Sequence, residues 1–158
     1  MLCYNESMSI LHADRKFDRF EEVTPEILKA GDVKLLLCDL DNTLTTRFAK
    51  VPSESLAAWI KACQKAGTEI VVVSNHVSKK HVQAFCRPLK IHCAWWAKKP
   101  LSIKLTKTRE RLKVAPKNTV MLGDKWSTDV LAAKFAGIRA WKVEHRKGYL
   151  KDVEKKEA

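Results

Sequence analysis

The stretch Lys34-Leu35-Leu36-Leu37-Cys38-Asp39-Leu40-Asp41-Asn42-Thr43-Leu44 joins an uninterrupted apolar run to two closely spaced carboxylates. An apolar run without alternation is typical of a strand buried on both faces, as in a parallel sheet. Asp39 and Asp41 would then stand at the carboxyl end of that strand, where open α/β sheets place their ligand crevice. Two carboxylates at that spacing repel each other unless a cation or a shared proton relieves them. A solvated acidic turn explains the same letters equally well, because Asp and Asn favour turns.

Two later apolar runs also end in polar residues. Ile70 to Val73 is followed by Ser74-Asn75, and Thr119 to Leu122 is followed by Gly123-Asp124. Asp129 comes five residues after Asp124. Since the carboxyl ends of parallel strands share one edge of a sheet, we expect these polar groups to converge on the acidic pair of the first strand.

These blocks resemble the four motifs of the haloacid dehalogenase-like (HAD) phosphatases when Lys99 is added to them. The motifs are Asp-x-Asp-x-Thr after a strand, Ser-Asn after a second strand, a lysine, and Gly-Asp with a further Asp. Lys98 is the rival for the third motif, but the lysine immediately before Pro100 matches the family better. Within the superfamily the chain resembles the YqeG-like group of the capless subfamily IIIA, from about Phe17 to Val143. Relatives of that group include phosphatidylglycerophosphate phosphatases.

The pattern of strands and helices predicts a three-layer, Rossmann-like α/β fold with a parallel sheet, formed by residues 1–158 as one domain. We expect strands at about 33–39, 69–74, 91–94, 119–122 and 139–143, and helices at about 25–30, 53–66, 78–86, 101–112 and 128–135. Residues 1–23 have helix-like apolar spacing and are expected to be a partly ordered lead-in, and residues 151–158 a frayed tail. The gaps between the motifs leave no room for the cap domain that many HAD enzymes carry, so the site should be open.

The resemblance implies a role for each acidic residue. Asp39 would be the nucleophile that forms an aspartyl-phosphate, and Asp41 the general acid and then the general base. Mg²⁺ would be held by Asp39, the Asp41 carbonyl and Asp124, with Asp129 supporting the site through water or Lys99. A turn residue at Asp124 and a favourable first-turn charge at Asp129 are the plainer alternatives.

The resemblance also implies the groups that bind the substrate phosphate. The backbone around Asp41 and Asn42 could form a nest of N–H groups. Ser74-Asn75 would donate the Ser74 hydroxyl and backbone N–H, and Lys99 would neutralise phosphate and nucleophile. A helix-capping serine and a solvated lysine are the alternatives. The histidines have no metal-ligand spacing and are expected at the surface or in the core.

Composition sets the outer limits of the function. The 158 residues carry 30 basic and 18 acidic side chains, a net charge of +12, which favours anionic partners. The basic residues are spread along the chain, so nucleic acid is a less favoured partner than a phosphorylated small molecule, a lipid headgroup or an anionic membrane. We expect a cytoplasmic protein, peripheral at the membrane if its substrate lies there, because no signal peptide or spanning segment is evident. The five cysteines are interpreted as small core residues.

The leading hypothesis is a Mg²⁺-dependent phosphomonoesterase acting on phosphatidylglycerophosphate. A soluble phosphosugar or nucleotide stays open, because Lys125 stands where the family commonly has Gln, and Ala132 to Phe135 replace a Gly-Gly-Asn-Arg run. A non-catalytic module that holds RNA or an anionic membrane is the competing class. An open site could also borrow a lid from a second copy in a homo-oligomer.

Overall fold

The computed structural model describes residues 12–47 and 49–145, in which six parallel strands form one sheet. The spatial order is β1-β6-β5-β2-β3-β4. The strands are β1 Arg15–Phe17, β2 Leu35–Cys38, β3 Glu69–Val73, β4 His92–Ala94, β5 Thr119–Gly123 and β6 Arg139–Val143. The predicted parallel α/β fold is confirmed, with one more strand than the sequence indicated.

Helices cover both faces of the sheet. They are α1 Pro25–Ala30, α2 Glu54–Lys65, α3 Lys79–Cys86, α4 Ile103–Arg111 and α5 Leu131–Ala136, with a π-helical turn at Trp126–Val130 that runs into α5. One apolar core contains side chains of α1, α2 and α3, and the other contains side chains of α4 and α5. The sheet is therefore the middle of three layers.

The central strand β2 joins the two cores. Leu36 and Cys38 pack into the first core and Leu35 and Leu37 into the second, and all four are fully buried. Alternate side chains of a strand point to opposite faces, so an unbroken apolar run is what a strand covered on both sides requires. Cys38 pairs in register with a residue of β3 and one of β5, which brings the carboxyl ends of the three strands together.

Side-chain caps begin α1 and α2 where the sequence predicted helix starts. The Thr24 hydroxyl accepts a hydrogen bond from the Ile27 N–H at 3.3 Å, ahead of Pro25 at the first helical position. The Ser53 hydroxyl likewise accepts from the Leu56 N–H at 3.1 Å. Such caps satisfy N–H groups that the first helical turn leaves without partners.

The lead-in, predicted to be partly ordered with helix-like apolar spacing, forms a short strand and one 3₁₀ turn in its described part. The edge strand β1 pairs with β6, and a single 3₁₀ turn follows at Phe20–Glu22. Phe20 and Val23 are fully buried, and the Phe20 ring lies 5.0 Å from the Trp59 ring, so the apolar spacing reflects packing. Residues 1–11 and the predicted frayed tail at 151–158 lie outside the described residues.

The insertions between the motifs are short. In the described residues, a loop and α2 connect β2 to β3, and α3 and β4 come between β3 and the Lys99 loop. No cap domain is formed by this part of the chain. Among the described helices, none combines the length and the apolar character needed to cross a bilayer. Cys38, Cys63 and Cys86 are buried free thiols, as expected of core residues, whereas Cys93 is half-buried and Cys3 lies outside the described residues.

Candidate active site

Asp39 is the first residue after β2 and lies at the junction of the three central strands. Its N–H donates to the Leu122 carbonyl at 2.9 Å, which extends the β2–β5 ladder by one residue and fixes the backbone. The side chain is 13% exposed. Burial raises the pKa of Asp39 from 3.8 to about 7, and Asp129 and Asp124 add to that rise while Lys99 opposes it. Without a further cation, the carboxylate is poorly stabilised.

Lys99 is 5% exposed, and its ammonium group makes its hydrogen bonds within the protein. Nζ donates to Asp39 Oδ1 at 2.9 Å, to Asp129 Oδ1 at 2.7 Å and to the Val73 carbonyl at 2.8 Å. A lysine has three N–H donors, so none is left for phosphate in this arrangement. Burial lowers the pKa of Lys99, but the two carboxylates outweigh that effect and raise it. Lys98, the rival in the sequence, is exposed.

Asn75 holds the Lys99 backbone. Its side-chain amide donates to the Lys99 carbonyl at 3.0 Å, and its side-chain oxygen accepts from the Lys99 N–H at 2.8 Å. Both polar groups of the side chain are therefore bonded within the protein. Asn75, a predicted phosphate-binding residue, lines the cavity beside Asp39, and in this structure its side chain positions the Lys99 backbone.

Asp124 follows β5 and is 5% exposed, with both carboxylate oxygens hydrogen-bonded. Oδ1 lies 3.1 Å from the Thr43 hydroxyl, which is also 3.4 Å from Asp39 Oδ2. Oδ2 lies 2.5 Å from Nδ1 of His145. The Asp-x-Asp-x-Thr pattern contained a signal for Thr43. His145 was expected at the surface or in the core, and its place beside Asp124 has no signal in local spacing because β6 carries it there.

Asp129 reaches the site from a π-helical turn. Both Asp129 and Val130 donate their N–H groups to the Lys125 carbonyl, at 2.9 and 3.3 Å. Asp129 Oδ2 accepts in turn from the Lys125 N–H at 3.2 Å. A Cβ at Gly123 would lie 2.2 Å from Asp129 Cγ, so only glycine allows this approach. Single π-helical turns occur often at functional sites.

Three carboxylates thus form a cluster that could hold a metal ion. One ligand atom from each of Asp39, Asp124 and Asp129 lies within 4.8 Å of the other two. The Lys99 ammonium contacts two of these carboxyl groups, Asp39 and Asp129, and the His145 ring contacts the third, so the buried carboxyl groups of the cluster outnumber its ammonium group. An oxygen-rich set of this kind fits Mg²⁺ better than a soft metal.

A polar cavity of about 660 Å³ opens beside Asp39 and contains Asp41. Burial raises the pKa of the Asp41 carboxyl, while His76, His81 and Arg47 act against that rise. His76 and His81 both line the cavity, and their rings stack with their centroids 4.4 Å apart. The cavity is also lined by four Lys and Arg side chains: Arg47, Lys50, Lys99 and Lys125. Its electrostatic field favours anions.

Ser74 and Asn42 line the same cavity, and the backbone N–H group of each is hydrogen-bonded within the protein. The Ser74 N–H donates to the Ala94 carbonyl at 2.8 Å, which leaves its hydroxyl as the donor for a ligand. Asn42 has φ of 63°, a left-handed conformation that Asn tolerates, and its N–H donates to the Thr45 carbonyl at 2.6 Å. The expected N–H donation to phosphate from these two residues is not available in this conformation.

Comparisons with known proteins identify the class that this fold and site define. A family model described as HAD-hydrolase-like matches residues 96–157, which include Lys99, Asp124 and Asp129. The chain belongs to the HAD superfamily. A more particular similarity is to YqeG of Bacillus subtilis (strain 168), described as a probable phosphatase, at 30% identity over 115 residues. That match covers 73% of this chain and 66% of the relative, just under two thirds of its length. The predicted family and its YqeG-like resemblance are confirmed.

Solved structures share the fold. The cobalt-bound deoxy-D-mannose-octulosonate 8-phosphate phosphatase of Haemophilus influenzae has a TM-score of 0.59 at 19% identity, covering 78% of this chain and 76% of that one. The 3-deoxy-D-manno-octulosonate 8-phosphate phosphatase of Moraxella catarrhalis, in complex with a magnesium ion, a phosphate ion and a KDO molecule, has a TM-score of 0.50 at 17% identity. That match covers 63% of this chain and 62% of the other. These likenesses confirm the HAD fold.

Proposed function

We propose that the protein is a phosphomonoester hydrolase that works through an aspartyl-phosphate on Asp39. The observation that carries this proposal is the placement of the Asp39 carboxylate against Lys99 at the floor of a basic cavity, beside Asp41. A phosphate dianion is drawn to such a cavity, and a fixed carboxylate can attack it once charge is neutralised. The similarity to YqeG supports the same reaction class.

The first step transfers the phosphoryl group to the protein. A carboxylate oxygen of Asp39 forms a bond to phosphorus as the bond to the leaving alkoxide oxygen breaks, and Asp41 gives that oxygen a proton. Burial raises the pKa of Asp41, which shifts this carboxyl toward the protonated form that the step requires. In the second step Asp41 takes a proton from water, the water oxygen bonds to phosphorus, and the bond to Asp39 breaks. The products are the alcohol and inorganic phosphate, and the site returns to its starting state with Asp39 as the carboxylate and Asp41 protonated.

Mg²⁺ is the proposed cofactor, because the Asp39, Asp124 and Asp129 cluster carries more negative charge than Lys99 balances. The ion would supply neutralisation between nucleophile and phosphate. Asp39, the Asp41 carbonyl and Asp124 would hold it, and Asp129 would keep Lys99 in place through their 2.7 Å hydrogen bond. The magnesium complex of the Moraxella catarrhalis enzyme supports this assignment.

Asp41→Asn is expected to slow the breakdown of the aspartyl-phosphate more than its formation. An amide cannot take a proton from the attacking water, whereas an activated aryl leaving group needs little protonation. We expect a burst of aryl alcohol followed by turnover at least about a hundredfold slower than in the wild type. Rapid-quench measurement with a labelled phosphate ester checks this. Steady turnover at the wild-type rate without a burst would limit Asp41 to its backbone role.

His145→Ala is expected to weaken metal binding about tenfold, because a residue that orients a ligating carboxylate typically contributes that much to metal affinity. His145 contacts Asp124 Oδ2 at 2.5 Å, and without it that carboxylate keeps the Thr43 hydroxyl as its partner. Calorimetric titration with Mg²⁺ in the absence of substrate measures the effect. His92→Ala, which removes an exposed imidazole on β4, should bind Mg²⁺ like the wild type. Equal or tighter binding by His145→Ala would remove His145 from the metal site.

The proposed substrate is a phosphate monoester at a membrane surface, with phosphatidylglycerophosphate as the leading candidate. The described residues form no cap over the site, so a headgroup held by a bilayer could reach the cavity. The net charge of +12 favours an anionic surface, and each basic residue near one contributes about 1 kcal/mol. The YqeG-like resemblance supports the same choice, and a soluble phosphosugar or nucleotide is the alternative.

One assay series tests the function and the substrate together. Phosphate release is measured with an aryl phosphate, with soluble phosphosugars and nucleotides, and with vesicles that contain phosphatidylglycerophosphate, each with Mg²⁺ or EDTA. We expect Mg²⁺-dependent release, with the lipid preferred and its hydrolysis reduced at high salt. A strong preference for a soluble ester would replace the lipid substrate. No release from any ester would favour the non-catalytic anion-binding module.

A further inference from the structure

An exposed apolar surface lies next to the catalytic lysine. Trp96, Leu101 and Ile103 are 54%, 53% and 57% exposed, and together with Lys98 and Lys104 we call them the Trp96 patch. They line a shallow cleft of about 250 Å³. Large apolar side chains grouped on a surface and rimmed by polar groups mark sites of interaction.

The two lysines of the patch lie near indole rings, one of the patch itself and one of the neighbouring Trp95. The Lys98 ammonium lies 4.2 Å from the centre of the Trp96 ring, and the Lys104 ammonium lies 5.7 Å from that of Trp95. The run of residues 95–104 contains no acidic residue, and two of its lysines, Lys98 and Lys104, line the cleft, whereas Lys99 is buried in the candidate active site. Indole rings favour the headgroup level of a bilayer, and lysines near an anionic leaflet gain from its negative potential. The chemistry of the patch therefore complements an anionic lipid surface.

The patch lies at the edge of the sheet that holds the active site. The Trp96 N–H donates to the His76 carbonyl at 2.8 Å, and the Ala97 N–H donates to the Ser74 carbonyl at 2.9 Å. Both acceptor residues line the catalytic cavity. Val77, 73% exposed, also lines that cavity. A surface seated on the patch would thus lie beside the mouth of the site.

We propose that the Trp96 patch docks the protein on an anionic lipid bilayer. Trp96, Leu101 and Ile103 enter the boundary between headgroups and acyl chains, and Lys98 and Lys104 lie among the lipid phosphates. Docking in this way presents a headgroup phosphate to the cavity without a spanning helix. The inference rests on the proposed lipid substrate and names the surface that meets it.

Co-sedimentation with vesicles tests the docking. The combined variant Trp96→Asn, Leu101→Ser and Ile103→Ser removes the apolar side chains, and Asn suits the left-handed backbone of residue 96, where φ is 47°. We expect its partition onto phosphatidylcholine–phosphatidylglycerol vesicles to fall at least about tenfold below that of the wild type. The matched control is Phe135→Ser, which removes a side chain that is 65% exposed on α5, outside the patch. Its partition should equal that of the wild type.

If circular dichroism shows that the first variant is misfolded, a second variant still tests the docking. Lys98→Glu with Lys104→Glu reverses the charge and should also abolish binding to the anionic vesicles. Equal sedimentation of wild type and patch variants would overturn the docking, as would equal binding of the wild type to pure phosphatidylcholine. Loss of a dimer in the patch variant, with no vesicle binding by the wild type, would assign the patch to a second copy of the chain.

Turnover measurements separate this inference from the proposed function. If both hold, the ratio of lipid-phosphate to aryl-phosphate turnover falls in the patch variant and is unchanged in Phe135→Ser. Patch-dependent sedimentation with no hydrolysis of any ester would overturn the proposed function and leave the docking in place. Hydrolysis of the lipid phosphate at the same rate by the wild type and the patch variants would overturn the docking and leave the proposed function in place.

Discussion

Asp39→Asn is expected to reduce phosphate release to background, a loss of at least about a thousandfold, because the nucleophile is removed. Asparagine keeps the shape of the side chain and can still accept a hydrogen bond from Lys99, but an amide oxygen does not attack phosphorus as a carboxylate does. Initial rates with an aryl phosphate and Mg²⁺ measure the loss. Asp18→Asn changes an exposed carboxylate in the same way and should retain wild-type rates.

Metal-free stability shows whether the Asp39→Asn protein is folded. The folded pKa of Asp39 is about 7 against an ordinary 3.8, so between these values the folded state binds more protons than the unfolded state. Stability of the wild type therefore falls as pH rises through that window, and it stays lower above pH 7. The asparagine variant lacks this loss and should be at least as stable as the wild type at pH 8 in EDTA. Wild-type-like phosphate release by the folded variant would contradict the assigned role.

The parts of the fold that the sequence predicted are those whose signal is local. The apolar run of β2 requires burial on both faces, and Thr24-Pro25 and Ser53 cap helices through bonds to residues three positions away. The strand β1 was missed because it has three residues, pairs on one side, and buries little more than Phe17. Its formation depends on β6, which lies more than a hundred residues later in the chain.

The candidate site also has a part that the sequence predicted and a part that it could not show. The motifs predicted Asp39, Asp124, Asp129 and Lys99, and the sheet brings these four together. What the motifs could not show is how hydrogen bonds are shared among neighbours. Asn75 uses both side-chain polar groups on the Lys99 backbone because the β3 loop and the Lys99 loop meet only in the folded protein.

Removing the Lys99 ammonium is expected to lower the free energy of unfolding by a large amount. Lys99→Met keeps most of the aliphatic volume but leaves the Asp39 and Asp129 carboxylates without the cation that both contact, at 2.9 and 2.7 Å. Breaking a buried ion pair by removing one partner costs about 3 to 5 kcal/mol, since the remaining charge is buried and uncompensated. We expect that loss in urea unfolding with EDTA present. Lys98→Met, one residue earlier and exposed, should change stability by no more than about 0.5 kcal/mol.

Adding Asp129→Asn to Lys99→Met distinguishes the loss of charge balance from the loss of the hydrogen bond between Lys99 and the Val73 carbonyl. The second substitution removes one of the two uncompensated carboxylates, so the double variant should be more stable than Lys99→Met alone. The coupling free energy between the two sites should be about 1 to 3 kcal/mol, as for other buried charged neighbours. Additive losses would mean that the stability lost in Lys99→Met comes mainly from the hydrogen bond of the ammonium to the Val73 carbonyl. A coupled loss would mean that the lysine is held in the site by the same carboxylates whose charge the proposed reaction requires.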